Sequence, residues 1–430
     1  MSDLLITGAR LLGGEAKDVL VLGGTIAEIG AALDAPRDVE TVQAEGLALL
    51  PGLVDLHTHL REPGREDAET IATGAAAAAV GGFTAVLAMA NTSPVTDTAE
   101  AAERILDLGR ATGLADVQPI GAVTKGLEGA ELAELALMHR SRAVVRVFSD
   151  DGHCVHDARV MRRALEYVRA FGGVVSQHSQ DPDLAGSSAC CHEGELSGRL
   201  GLPGWPSVAE STIIARDAQL ARHTGSRVHV AHVSTAEGVE VLRWAKAQGI
   251  DLTAEVTPHH LLLTQDLVSS YDPTFKVNPP LRPTEDVEAL RAALVDGTID
   301  AVATDHAPHA RHDKEHAFVD AAFGMLGLET AFAVVHDTLV RGGQLDLAGL
   351  ADRMSVAPAR IAGLADHGQP LAVGAPANLV LVDTESTQTV DASASKSLSR
   401  NNPWHGMSFT GAVHTTILRG RVTARQGVTE

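Results

Sequence analysis

The sequence predicts an α/β fold: a (β/α)8 barrel of the TIM type, with a small β-sandwich-like domain formed by both chain ends. Three observations predict it. Through the middle of the chain, β-like and helix-like runs alternate eight times, as a closed parallel barrel requires. The two ends carry only short β-rich runs separated by Gly turns. His and Asp recur where the central β-like runs end, the rim at which barrels of this kind collect their chemistry. An open doubly wound sheet is the competing architecture. A length of 430 residues exceeds one ordinary domain and suits a barrel with an accessory domain.

The elements follow in order. LLITGARLL, DVLVLGGTIAEIG and VETVQAEGLALL read as strands and hairpins, and ANLVLVD and GAVHTTILRGRVTARQG repeat that character at the other end. The eight central β-like runs are ALLPGLVDLHTH, FTAVLAMA, ADVQPIGAVT, AVVRVFSD, GVVSQHS, SRVHVAHVS, DLTAEVTPH and DAVATDHAPH. Helix-like stretches such as TAEAAERILDLGRATG and TAEGVEVLRWAKAQG separate them, opening on a capping Thr or Asp and closing on Gly. Each end is too small for a core of its own, so the ends are expected to pair into one β-domain, residues 1–50 plus 371–430. Residues 51–370 are expected to form the barrel. There is no low-complexity segment and no exact repeat.

Composition narrows the function classes. Apolar residues make up 45% and aromatics 3%, so the core is built from Ala, Val, Leu and Ile. The 34 Lys and Arg against 55 Asp and Glu leave a formal charge of −21, which argues against nucleic acid but not against a small anion in a local cationic pocket. The three cysteines, Cys154, Cys190 and Cys191, are odd in number and make a disulfide framework improbable, which favours the cytoplasm. MSDLLITGARLL lacks the pattern of a secretory signal, and no run of about 20 uncharged apolar residues predicts a membrane span.

The polar residues at the run ends suggest a metal centre. DLHTH supplies His57 and His59, two apart and therefore on one side of a strand. FSDDG supplies Asp150 and Asp151, of which one at most should face the site. SQHS supplies His178; VAHVS supplies His232, with His229 before it; ATDHAPH supplies Asp305, His306 and His309. Each alone reads equally well as a polar strand end or a turn. Five strands ending this way point to a metal. Imidazole and carboxylate donors without thiolate suit Zn²⁺, and also Mn²⁺, Co²⁺ or Fe²⁺. Four His and two Asp exceed one tetrahedral ion, and two ions sharing a carboxylate explain the surplus.

PGLVDLHTHLREPG, ANTSP, FSDDG, HVST, VNPPLR and ATDHAPH together resemble the amidohydrolase superfamily, and within it the dihydroorotases of the bacterial class I type. The resemblance runs from about residue 45 to SRNNPWHG near residue 400, in matching order and spacing. It implies that His57 and His59 bind a first metal, Asp151 bridges, His178 and His232 bind a second, and Asp305 touches the first metal and acts as general acid/base. It further implies substrate contacts from His59, Leu60, Arg61, Asn91, Asn278, His309, Phe323 and Gly324. Hydantoinases, dihydropyrimidinases, allantoinases and class II relatives carry a carboxylated lysine at the end of strand four. AVVRVFSDDG has none, and an aspartate takes its place. The implied activity is reversible cyclisation of N-carbamoyl-L-aspartate to L-dihydroorotate in pyrimidine (UMP) synthesis, with two Zn²⁺ per subunit. The implied assembly is a homodimer, with association with aspartate carbamoyltransferase as a further expectation.

Other candidates read more simply. Cys190, Cys191 and His192 fall in a Gly-rich stretch expected to be a surface or interface loop. His153, His156, His312 and His316 are expected to face solvent, and His259 and His260 to pack or to support ligands. The competing functions are a hydantoinase- or allantoinase-like cyclic amidohydrolase, and a silent dihydroorotase-like scaffold for aspartate carbamoyltransferase.

Overall fold

The computed structural model describes residues 3–34 and 39–430. The end-domain range 1–50 therefore includes six positions that lie outside the described residues.

Five strands lead in: β1 (Leu4–Leu11), β2 (Ala16–Leu22), β3 (Thr25–Gly30), β4 (Glu40–Gln43) and β5 (Ala48–Pro51). The barrel begins with β6 (Leu53–Thr58), β7 (Phe83–Ala88), β8 (Asp116–Pro119), β9 (Val147–Phe148) and β10 (Val174–Gln177). A small excursion, β11 (Cys191–His192) and β12 (Gly204–Trp205), precedes β13 (Arg227–Val230), β14 (Leu252–Val256) and β15 (Ala301–Val302). The chain ends with β16 (Leu379–Thr389), β17 (Ser408–Leu418), β18 (Arg421–Arg425) and β19 (Val428–Thr429).

Strands β6, β7 and β8 pair in parallel, as do β9, β10, β13, β14 and β15. Two parallel bridges join the groups: Gly121 to Phe148 links β8 to β9, and Thr58 to His306 links β15 back to β6. The eight predicted strands thus close into one barrel, and an open doubly wound sheet is excluded. Every residue of β6, β7 and β10 is buried, as a strand covered by side chains within and helices without must be.

The helices form where the caps dictate. Ile71–Val80, Ala99–Thr112, Ala158–Arg169 and Ala236–Ala247 open on Thr70, Thr98, Asp157 and Thr235, whose side chains each accept a backbone N–H of the first turn. The first two close on Gly81 and Gly113.

The chain ends form one mixed sheet in the order β19-β18-β17-β16-β5-β1-β2-β3, with β4 also on β1. Its own core includes Leu4, Ile6, Val19, Val21, Leu49, Leu381 and Ile417. Two readings need correction. VETVQAEGLALL is not a hairpin: β4 pairs with Leu4–Thr7 of β1 and β5 with Arg10–Leu11, both in parallel. A shift in the β1 ladder between Ile6 and Ala9, where Gly8 has φ +70°, lets one edge serve two partners. ALLPGLVDLHTH is not one strand either, because it breaks at Gly52 and only its second half enters the barrel. Gly52 lies so close to Thr84 that a Cβ would fall 2.3 Å from its Cγ2. Among the described residues no helix is long and apolar enough to cross a membrane.

Candidate metal and substrate site

The six candidate ligands stand at, or up to three residues beyond, the C-terminal ends of β6, β9, β10, β13 and β15. All are buried. Asp151 stands at the centre. Its Oδ2 lies 3.3 Å from His57 Nε2 and 3.4 Å from His59 Nε2. Its Oδ1 lies 3.3 Å from His178 Nδ1 and 3.3 Å from His232 Nε2. Each carboxylate oxygen therefore faces its own pair of imidazoles. Asp305 Oδ1 joins the first pair, 3.1 Å from His59 Nε2 and 3.5 Å from His57 Nε2. Asp150 points the other way and accepts the N–H groups of Val123 and Thr124. Alternation along the chain separates the two aspartates.

The far side of three rings fixes which nitrogen faces inward. Glu255 Oε1 takes His57 Nδ1 at 2.9 Å, Asn91 Oδ1 takes His59 Nδ1 at 3.0 Å, and Gln180 Oε1 takes His178 Nε2 at 2.5 Å. Each acceptor holds the proton on the outer nitrogen and turns a lone pair to the centre. His57 Nε2 is buried and has no hydrogen-bond partner, close as it is to two carboxylates. A donor set of four inward imidazoles around one carboxylate, with such an orphaned nitrogen, fits divalent cations.

The electrostatics agree. Burial would raise the Asp151 and Asp305 carboxyls, but His57 and the other imidazoles hold both below the usual range. Burial would lower His57, but Asp151 and Asp305 raise it well above its ordinary value. The centre demands positive charge. Backbone strain gathers here too: Arg61, His232 and Asp305 have φ of +61°, +31° and +47°.

Beside this centre lies a pocket of about 250 Å³, lined by His59, Arg61, Asn91, Asp151, His178, Asn278, Asp305, His309, Phe323 and Gly324. Asn278 Oδ1 is buried with no partner. His309 Nε2 lies 2.6 Å from the Phe323 carbonyl, so that nitrogen carries the proton. Arg61 Nη2, at 3.3 Å from the same nitrogen, is then a neighbour and not a donor to it, while Arg61 Nε donates to Pro308 O. Gly324 has φ +136°, and a Cβ there would meet Ala307 Cβ at 2.7 Å and His309 Nε2 at 2.9 Å. Leu60 is the one substrate candidate whose side chain turns away, into the barrel core. A larger cavity of about 730 Å³ lies on the outer side of His309 and Asn401 but holds none of the six ligands.

Several supports escaped the sequence. Glu255 holds both His57 and, through Oε2 at 3.0 Å, His229. Asp55 accepts the N–H groups of His57 and Thr304, tying β6 to β15 beneath the ligands, and burial raises its carboxyl to about 6. His306 turns from the centre to Glu69. Lone carboxylates inside β-like runs carry no local signal. Cys190 and Cys191 are buried against Val268 and Phe318, not on a surface loop, because β11 pairs with β12 and draws them in. His153, His156, His312 and His316 are exposed, whereas His259 and His260 are buried.

A closed barrel with a His/Asp cluster at its carboxyl rim suits metal-dependent hydrolysis, and similarity to proteins of known activity makes the class a cyclic amidohydrolase. The chain is similar over its whole length to an L-hydantoinase (dihydropyrimidinase) of known structure from Arthrobacter aurescens, with 28% identity, a TM-score of 0.88 and coverage of 100% and 98% of the two chains. It shares its fold with a dihydropyrimidinase from Brevibacillus agri, with 23% identity, a TM-score of 0.87 and coverage of 99% and 96%. Residues 46–238 match the family model described as Dihydro-orotase-like. The chain is 60% identical over 427 residues to a dihydroorotase of Streptomyces coelicolor, and 55% identical over 426 residues to one of Mycobacterium tuberculosis, each comparison covering 99% of both chains. The chain belongs to the dihydroorotase family.

Proposed function

We propose that this enzyme catalyses the reversible cyclisation of N-carbamoyl-L-aspartate to L-dihydroorotate and water, a step of pyrimidine synthesis. One observation carries the class I reading: Asp151 presents one oxygen to each of two imidazole pairs, where related cyclic amidohydrolases place a lysine. His57, His59 and Asp305 would hold one divalent cation, His178 and His232 a second, and Asp151 both. Bound there, such cations acidify water and polarise an amide carbonyl.

The residues of the chain do the rest. Asp305 is ionised at neutral pH and borders the pocket, so it can accept the proton of the water that attacks the ring amide carbon. It returns that proton to the ring nitrogen as the C–N bond breaks. Arg61, with Asn91, takes the substrate carboxylate, and His309 joins them by turning its Nε2 proton from the Phe323 carbonyl to the carboxylate; a planar guanidinium matches it with two parallel hydrogen bonds. Asn278 offers an unpaired amide oxygen to a ring N–H, and Phe323 and Gly324 close the amide edge. Leu60 contributes by its backbone.

The same reading takes zinc as the metal, residues 51–370 as the catalytic barrel with 1–50 and 371–430 as the β-domain, a cytoplasmic homodimer, and association with aspartate carbamoyltransferase. It rests on family resemblance, and metal analysis and sedimentation of the purified protein test it. The central test is turnover. L-dihydroorotate should be hydrolysed in preference to hydantoin and allantoin. Asp305→Asn should lower kcat by about 10²- to 10⁴-fold with metal content retained. Turnover of hydantoin with none of dihydroorotate would move the chain to the hydantoinase reading.

A further inference from the structure

Two lysines, Lys276 and Lys314, are buried behind the pocket wall, and among the described residues no carboxylate stands within ion-pair distance of either. Lys314 Nζ donates to Ala322 O at 2.8 Å, Gly324 O at 3.0 Å and Lys276 O at 3.3 Å. Lys276 Nζ donates to Ala321 O at 2.7 Å and Val319 O at 2.9 Å, and lies 4.3 Å above the Phe323 ring. The three donors of the Lys314 ammonium thus meet three backbone carbonyls. A charge buried without a paired counter-ion is costly, and the carboxylates that favour this one, Asp272 and Asp313, act only from beyond ion-pair distance. What the ammonium gains is geometry. Lys276 lies two residues before Asn278, so one charged group ties the segment bearing Asn278 to the segment bearing Phe323 and Gly324. Gly324 N–H closes the same tie onto Lys276 O at 2.9 Å.

We propose that Lys314 is a positioning residue for substrate binding: its ammonium fixes the distance between the Asn278 wall and the Phe323–Gly324 wall, and so sets the width of the slot that takes the ring. The proposal rests on those two segments meeting the substrate, as in the functional reading above. It predicts an effect on binding rather than on chemistry, because Lys314 touches none of the six candidate ligands. Burial, and after it the neighbouring Lys276 ammonium, lowers the Lys314 ammonium to about 7, so the tie is held with little reserve at neutral pH.

The test uses Lys314→Met and Lys314→Gln in the full-length, metal-loaded enzyme. The Met variant should raise KM for dihydroorotate by on the order of 10- to 100-fold, since a slot of altered width loses hydrogen bonds to the ring, each worth on the order of tenfold in affinity. Its kcat should stay within about threefold, with metal content unchanged. The Gln variant, which still donates, should recover part of the loss. Amide hydrogen exchange should quicken at residues 322–325 in both variants and stay unchanged in the β-domain. Exchange needs no substrate, so an inactive wild type would remove the functional reading while leaving this inference to be decided. Unchanged KM together with unchanged exchange overturns it. Exchange quickened throughout the barrel also overturns it, because that marks a general structural role.

Discussion

At the scale of single residues, the site is organised by groups that touch no substrate. Glu255 is the strongest case. One oxygen fixes the His57 tautomer and the other holds His229, so the ligand cannot rotate. Burial would raise this carboxyl, but its hydrogen bonds with His229 and His57 hold it below the ordinary value, so it stays an acceptor. Glu255→Gln keeps the shape but can offer only one oxygen, and it should weaken metal affinity by about 10- to 100-fold. Competition against a chromophoric chelator measures this, and unaltered affinity would make Glu255 a packing residue. Arg61 makes the opposite kind of prediction. Lysine retains the charge but loses the planar pair of donors, so Arg61→Lys should raise KM for dihydroorotate about tenfold or more while metal content stays intact. Equal steady-state kinetics would take Arg61 out of the substrate contacts. The sequence exposed Arg61 through its place two residues past His59. It could not expose Glu255, whose run TAEVT looks like any strand.

At the scale of elements, contacts between neighbouring segments decide what substitution does. Gly109 lies within the helix Ala99–Thr112, where alanine would gain about 1 kcal/mol of intrinsic helix propensity. An added Cβ would stand 2.5 Å from Val117 Cβ on β8, however, and overpacking a helix on a barrel strand costs about 1–3 kcal/mol. The clash outweighs the propensity. Gly109→Ala should therefore destabilise by up to about 2 kcal/mol in denaturant titration, and a gain in stability would show that the helix can shift. Asp116 on β8 gives the pH counterpart. It accepts from His367 Nε2 at 2.9 Å and pairs with Arg419, which follows β17, so it ties the barrel to the end sheet. Burial opposes ionisation, but His367 and Arg419 hold its carboxyl below the ordinary value. A depressed folded value means the contribution is present above the unfolded pKa of about 3.9 and is lost as pH falls through the folded one. Wild type should exceed Asp116→Asn by about 1 kcal/mol at pH 6, with the gap closing below about pH 4. A gap that does not narrow as pH falls below about 4 would assign the difference to packing. The helices were legible from their Thr and Asp caps. Their glycine contacts were not, because a sequence does not say which strand lies beneath a helix.

At the scale of the molecule, the barrel was legible because eight alternations leave few alternatives, and the rim because His and Asp fall at the run ends. The split at Gly52 and the sharing of β1 by β4 and β5 were not, since both depend on which distant strand takes an edge. The strand ends converge on Asp151, which belongs to both of the buried three-residue groups able to hold a cation among the described residues; a third group, Asp67, His312 and Asp313, lies at the surface. That sharing has a consequence for the whole fold. Five of the eight barrel strands meet at this rim, so cations bound there cross-link most of the barrel. Binding the folded state alone stabilises it by about 3–4 kcal/mol when the metal is at 100 to 1,000 times its dissociation constant. Chelator treatment should therefore lower Tm by several degrees, reversibly on adding back metal. Asp151→Asn keeps the shape but weakens both groups at once. It should lose nearly all bound metal rather than half, and its Tm should no longer respond to chelator. If the variant instead keeps one metal per chain and half the chelator response, the two groups bind independently and the shared carboxylate is not the keystone of the rim.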